Sequence, residues 1–519
     1  MSPLWVNIRG NRFVDANGRQ LILRGVNLGG DGKLPYPDGG TDRPGDFSDH
    51  ATVSFVGRPF PLAQADEHLG RIAGWGFNLL RLVVTWEAVE HAGPWRYDTD
   101  YIEYIGAVCE RAAAYGLAVF IDFHQDVWSR MSGGSGAPCW IFDALGLDYR
   151  RFGEADAAHV MQYRYDYRDP RRLQEERYPT MSWPVNYRMA VNGIVWTAFF
   201  GGRTFTPQWM LDGVNVQDFL QDHYLGALRA LAQRVRELPN VIGFDSLNEP
   251  GQGWIGRAMT QRAGIGASGN FRGPAWTPLD GLAIASGLPR SVPFLVPNEA
   301  KTKIIGRRDV LMNKHEISIW KDGVADPYAQ AGAWSLEHGE PRAADEDFFR
   351  KRDGRAFDIE RDFMAPFFAR VAQAMRSVRA DWLLFAEINP HVLVEGRTFP
   401  QQMPDRSVNA NHWYDVNLLM GKTYPVQMSA AERAQMRKGY AFQLSYLKLM
   451  GDRLGGGAPT LVGEFGTPYD LDDGASFKRW AAGERGAVLW QAQANALSLA
   501  YDALDELLLS SAQWNYTAS

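Results

Sequence analysis

Two glutamates stand at the ends of apolar runs, where a carboxyl is costly unless it is used: Glu249 in Leu247-Asn248-Glu249-Pro250, and Glu464 in Gly463-Glu464-Phe465-Gly466. Hydrolysis of a glycosidic bond with retention needs such a pair, one carboxyl protonating the leaving oxygen and the other, about 5–5.5 Å away, attacking the anomeric carbon. The same interruption recurs along the chain, with Arg81 in FNLLRLVV, His124 ending LAVFIDFH, Glu387 in WLLFAEIN, His412 and Tyr414 in SVNANHWY, and Trp514 in SSAQWNYT. One polar residue at a strand end is commonly just a satisfied strand end, but seven in eight strands point to a shared site. Glu387 is a rival carboxylate, either substituting for Glu249 as the acid or binding substrate. His124-Gln125-Asp126 and His412 offer metal-ligand types. A barrel metallohydrolase would need more converging histidines, and the first run, LILRGVNL, supplies none, so neither a metal nor a cofactor is expected.

The runs that must position these residues are 21–28, 77–84, 117–124, 241–248, 382–389, 407–414, 460–466 and 510–517. Between them lie segments of helical period: Ile102, Ile105, Cys109 and Ala112 share one face, as do Leu220, Tyr224, Leu228, Leu231 and Val235. Longer helices are expected at about 359–379, 428–450 and 487–508. Alternating strands and helices, eight strands in all, predict an α/β fold, a (β/α)₈ barrel formed by residues 1–519 as one catalytic domain. Upstream, WVNIRG and FVDANGRQ read as a β-hairpin with an Asn17-Gly18 turn, covering the barrel floor. The connections 125–240 and 249–381, after strands three and four, are too long for plain crossovers and leave from the functional face, which predicts walls or lids. Their tryptophans include Trp128, Trp140, Trp183, Trp196, Trp209 and Trp254, and the charged stretch 162–179 reads as a solvated loop. The chain reaches Ser519 directly after the eighth run, which implies an unconventional closure or a truncated product.

With 45% hydrophobic and 22% charged residues, 519 residues can bury a large core. A net charge of −6 gives no basic footprint, which argues against nucleic acid as a partner. No leader or integral membrane segment is visible at the N-terminus, and a cytoplasmic location is expected. Cys109 and Cys139 are expected to be free thiols. The 18 tryptophans suit either core packing or the stacking surfaces of a carbohydrate site.

Asn248-Glu249-Pro250 and Gly463-Glu464-Phe465-Gly466, with Arg81, His124, His412-Trp413-Tyr414 and Trp514, resemble glycoside hydrolase family 5, in the clan of retaining barrel glycosidases. The order and strand placement agree across almost the entire chain. The resemblance implies that Glu249 is the acid/base and Glu464 the nucleophile, with Arg81 and Tyr414 keeping Glu464 charged and oriented. It further implies Asn248 on the sugar 2-hydroxyl, His124 and His412 on sugar hydroxyls or tuning Glu249, and Trp514 as the floor of the −1 sugar.

The run Asp122-Phe123-His124-Gln125-Asp126-Val127-Trp128 is similar to the branch containing endoglycoceramidases and the glucosylceramide and steryl-glucoside β-glucosidases, which implies Asp126 on a substrate hydroxyl. That branch often carries a C-terminal β-sandwich, and this chain shows none after its eighth run. Long insertions suit an exo-acting pocket, hence a β-glucosidase for small-molecule glycosides or glycolipids whose hydrophobic aglycone rests on the insertions' aromatic and aliphatic residues. The alternatives are an endo-acting endoglycoceramidase or β-glycanase, and a non-catalytic carbohydrate- or lipid-binding barrel.

Overall fold

All eight expected strands form, in one parallel sheet. The computed structural model describes residues 5–36, 46–160, 183–262, 273–298, 304–390, 396–425 and 427–518. The strands are β1 Arg24–Leu28, β2 Leu79–Thr85, β3 Ala118–His124, β4 Val241–Asp245, β5 Leu383–Ala386, β6 Ser407–Asn409, β7 Leu461–Phe465 and β8 Ser510–Tyr516. Their spatial order is β6-β5-β4-β3-β2-β1-β8-β7. The ring closes between β6 and β7 through the parallel bridge Asn409–Thr460 and the bonds Gly463 N–H to Asn411 O and Trp413 N–H to Glu464 O. β8 pairs directly with β1, so closure of the sheet needs no further helix.

Crossover helices cover the outside: α1 Ala65–Gly74, α2 Thr99–Ala114, α3 Ala190–Phe205, α4 Val216–Val235, α5 Ala365–Arg376, α6 Ala430–Arg453 and α7 Gln491–Glu506. Both expected helix faces are buried, Ile102, Ile105, Cys109 and Ala112 on α2 and Leu220 through Val235 on α4. The helices start where side chains satisfy free amides: Asp98 accepts from Tyr101 N–H at α2, and Ser429 with Glu432 forms a capping box at α6. Cys109 and Cys139 are buried free thiols.

The floor is apolar. Inward-facing Leu79, Ala118, Phe120, Ile242, Leu383, Phe385, Val408 and Leu461 form one cluster, closed from below by Val6 and Phe13. Phe13 belongs to, and Val6 directly precedes, the N-terminal sheet of Asn7–Arg9, Arg12–Val14 and Gln20–Leu21, the expected hairpin extended by a third short strand beyond the Asn17-Gly18 turn.

The insertions are packed layers. Trp128, Trp140, Trp196, Trp209 and Trp254 are all buried; Trp128 meets Trp196 edge-on at 5.0 Å, and Trp196 meets Phe199 at 5.9 Å. They fill the core between α3, α4 and the β3 loop. The expectation that insertion aromatics receive an aglycone does not hold for these five, because they are buried against other aromatic rings: Trp128 and Trp196 on each other, Trp140 on Phe219, Trp209 on Trp320 and Trp254 on Phe349. The side chain of Trp183 and the stretch 162–179 lie outside the described residues.

Candidate active site

The period of two that builds the floor also builds the site. Leu79 faces the floor and Arg81 lies one layer above; Phe120 is followed by Asp122 and His124, and Phe385 by Glu387. On β7 the alternation breaks. Val462 and Phe465 both face outward, and a register irregularity between them turns Glu464 inward. Gly463 makes this possible, since a Cβ there would lie 2.3 Å from Ala410 O and 3.1 Å from the His412 ring.

Arg81 is the hub and is fully buried. Its Nη1 donates to Glu464 Oε1 at 2.8 Å and Asn27 Oδ1 at 2.9 Å; its Nη2 donates to Asn248 Oδ1 and Glu387 Oε1, both at 2.8 Å, and to Asp245 Oδ2 at 3.2 Å. Asp122 Oδ2 lies 3.1 Å from Nη1. Four carboxylates around one guanidinium cannot all ionise cheaply. Burial, then Glu387 and Asp122, raise the Asp245 carboxyl well above the usual range despite Arg81.

Glu464 is held the other way. Burial pushes its carboxyl up, but His412, Arg81, His124 and Lys33 outweigh it and bring it below the ordinary glutamate value. Its Oε2 accepts the Tyr414 hydroxyl at 2.8 Å. That phenol stays protonated, because burial and the charges of Glu464 and Glu249 raise it far above its usual value.

Glu249 shifts upward: burial, Glu464 and Glu387 raise its carboxyl, opposed by the hydrogen bond and charge of His412. His412 Nδ1 is 2.8 Å from Glu249 Oε1, and Nε2 is 2.9 Å from Glu387 Oε1. Burial would lower His412, but Glu387 and Glu464 raise it well above the usual imidazole range. Glu249, His412 and Glu464 each offer a ligand-type atom within 4.8 Å of the others. That grouping resembles a metal site. Its imidazole already lies between two carboxylates, 2.8 Å from Glu249 and 2.9 Å from Glu387, an arrangement that also holds a proton on each ring nitrogen. Glu249 has φ 37°, in the left-handed region that costs a non-glycine residue about 1–2 kcal/mol. The conformation is held by Glu249 N–H donating to Glu387 Oε2 at 2.9 Å, and by Gln125 Nε2 donating to the carbonyls of Asn248 and Glu249.

On the other rim, His124 Nδ1 is 2.7 Å from Asp122 Oδ2, and Trp514 stacks on the His124 ring at 5.4 Å. Asp126 Oδ2 accepts Lys33 Nζ at 2.6 Å, and Lys33 lies over the Trp514 ring at 4.3 Å. Burial raises the Asp126 carboxyl, but Lys33 and His124 bring it far below the usual range. This loop requires its glycines: a Cβ on Gly134 would lie 1.9 Å from Asp126 O.

All nine expected residues, Arg81, His124, Asp126, Asn248, Glu249, His412, Tyr414, Glu464 and Trp514, thus lie in this network. Glu387 differs from its expectation, since it is fully buried behind Glu249 with both oxygens occupied and does not face a substrate. Asn248 is 1% exposed, its oxygen on Arg81 and its amide on Gln125 O at 2.8 Å. Asn27, Lys33, Asp122, Gln125, Asp245 and Tyr187, whose hydroxyl accepts Gln125 Nε2–H at 2.8 Å and donates to Glu249 O at 3.3 Å, were not anticipated. The inward alternation that marks Arg81 and His124 also marks Asp122; Asp245 lies three residues after inward-facing Ile242, past a register shift in β4, and Lys33 and Tyr187 sit in the short 3₁₀ turns Gly30–Lys33 and Trp183–Arg188, without a periodic signal.

The fold agrees with known proteins. The family model described as Cellulase (glycosyl hydrolase family 5) matches residues 42–150. A glucosylceramidase of Rhizopus delemar is 32% identical over 98% of this chain and 74% of its own length. The chain belongs to glycosyl hydrolase family 5. As a family 5 hydrolase it is also similar to an ergosteryl-beta-glucosidase of Saccharomyces cerevisiae, 30% identical over 89% of this chain and 67% of that one. A crystal structure of Cryptococcus neoformans sterylglucosidase 1 superposes with a TM-score of 0.88 at 31% identity, covering 100% of this chain and 78% of that one. Among the described residues, no helix is long and apolar enough to cross a membrane.

Proposed function

We propose that this family 5 hydrolase is a retaining exo-β-glucosidase acting on glucosides with an apolar aglycone, of the glucosylceramide or steryl-glucoside kind, with Glu249 as acid/base and Glu464 as nucleophile. One observation carries the reading: oxygens of Glu249 and Glu464 lie within 4.8 Å of each other while their carboxyls shift in opposite directions. That separation matches double displacement; the wider spacing of inverting enzymes would leave room for a water. The substrate class is supported by the names of relatives that align over most of this chain.

In the first step Glu249 gives its proton to the glycosidic oxygen as Glu464 bonds to the anomeric carbon and the aglycone leaves. Glu249 then takes a proton from water, and the resulting hydroxide equivalent displaces Glu464. Trp514 and Asp126, which keep part of their surface exposed, are left to meet the sugar, His124 being buried with Nδ1 on Asp122 and Nε2 toward Asp126.

Two outcomes follow. Glu249→Ala should lose on the order of 10²–10⁴ of kcat with poor leaving groups and much less with nitrophenyl glucosides, which leave without a proton. The pH profile of kcat/KM should be bell-shaped: activity needs ionised Glu464, so the acid limb lies below the ordinary glutamate value; it needs protonated Glu249, so the basic limb lies above it. A panel of aryl β-glycosides, then glucosylceramide and steryl glucoside, tests the reading as a whole. Release of glucose with free ceramide or sterol is expected, and release of oligosaccharide would assign an endo-enzyme instead.

A further inference from the structure

Glu387 touches three separate parts of the machinery without any opening to the pocket. Its Oε1 accepts from Arg81 Nη2 at 2.8 Å and lies 2.9 Å from His412 Nε2, and its Oε2 accepts the backbone N–H of Glu249 at 2.9 Å. Its side chain is 0% exposed, and its own N–H is anchored on Ser246 Oγ at 3.1 Å. We propose that Glu387 is a positioning residue for the proton donor: by accepting Nε2–H of His412 it directs Nδ1–H onto Oε1 of Glu249, so that the transferable proton sits on Oε2, while its second oxygen holds Glu249 in its left-handed turn. The proposal rests on the reading of Glu249 as acid/base.

Three N–H groups converge on two oxygens, which only a carboxylate satisfies. The groups facing it are Arg81, Asp245 and His412; His412 in turn faces Glu249 and, at 3.5 Å, Glu464. Burial works against the charge on Glu387, but His412 and Arg81 outweigh it and keep the carboxyl far below its usual range. With a carboxylate on Nε2, His412 keeps a proton on each nitrogen, and Glu249 Oε1 is always an acceptor. When the proton leaves Oε2 for the glycosidic oxygen, the new Glu249 carboxylate retains its Nδ1–H bond, and the same oxygen receives a proton from water in the second step.

The test combines a spectrum with a leaving-group comparison. In ¹⁵N-histidine-labelled protein, with the His412 signal assigned from its loss in His412→Gln, both ring nitrogens should carry protons from about pH 5 to about pH 8. Glu387→Gln must turn an amide N–H toward at least one donor, and it should bring the His412 titration into that window. It should also lower kcat on the order of 10²-fold for alkyl glucosides, far less for dinitrophenyl glucoside, with KM near wild type. A neutral His412 in the wild-type protein at pH 6, or equal losses for both leaving groups in Glu387→Gln, would overturn the proposal. If the variant does not fold, the wild-type spectrum still decides. Failure of the glucosidase reading would appear separately, as a wild-type protein that cleaves no β-glucoside.

Discussion

Glu464→Gln should lower kcat by on the order of 10⁴–10⁶ with every substrate, activated or not, because without the nucleophile neither half of the double displacement can run. The change is nearly isosteric. Its amide oxygen can accept either the Arg81 N–H or the Tyr414 hydroxyl, and the phenol can rotate to accept an amide N–H instead, so the structural cost should stay near about 1–3 kcal/mol. A variant that unfolds in urea close to wild type yet turns over nothing separates chemistry from stability. Turnover near wild type would remove Glu464 from the reaction.

The largest expected effect on stability lies one layer below. Arg81→Met removes the guanidinium that Glu464, Glu387, Asp245 and Asp122 share, and breaking a buried pair by deleting one partner typically costs about 3–5 kcal/mol. The cost should depend on pH. In the wild type, Glu464 and Glu387 sit below their ordinary values, so their stabilisation is present above the unfolded glutamate pKa and is lost as pH falls through the folded values. In Arg81→Met these carboxyls have lost a cation and favour their protonated forms, so the variant loses less on acidification. Urea denaturation at pH 7 and pH 4 should therefore show a gap that narrows with acid; a gap that is constant would mean the network carries little charge.

Much of the architecture was legible because it depends on periodicity. Eight apolar runs became eight strands, and their order around the barrel follows from parallel crossovers. The strand ends were less legible. The runs 241–248 and 407–414 were expected to stay in the ladder, yet β4 stops at Asp245 and β6 at Asn409, because the backbone there bends to aim Asn248, Glu249 and His412 at the axis. Tryptophan was ambiguous for a different reason: an indole has the same composition in a core or beside a site, and only packing separates Trp196, set against Phe199, from Trp514, set against His124 in the site network. Asp122 carries the same inward register as Arg81, and Asp245 gains it only through the register shift after Ile242, but a buried aspartate declares its role only when its cation is seen beside it. The left-handed turn at Glu249 has no sequence signature, since it is imposed by Glu387 and Gln125 from other strands.

The central claim is a double displacement in which Glu464 attacks and Glu249 supplies and recovers the proton. It is tested most directly by following the anomeric protons of glucose by NMR during the first minutes of aryl β-glucoside hydrolysis. β-Glucose is expected as the first product, with α-glucose rising only later by mutarotation. α-Glucose as the first-formed anomer would contradict it.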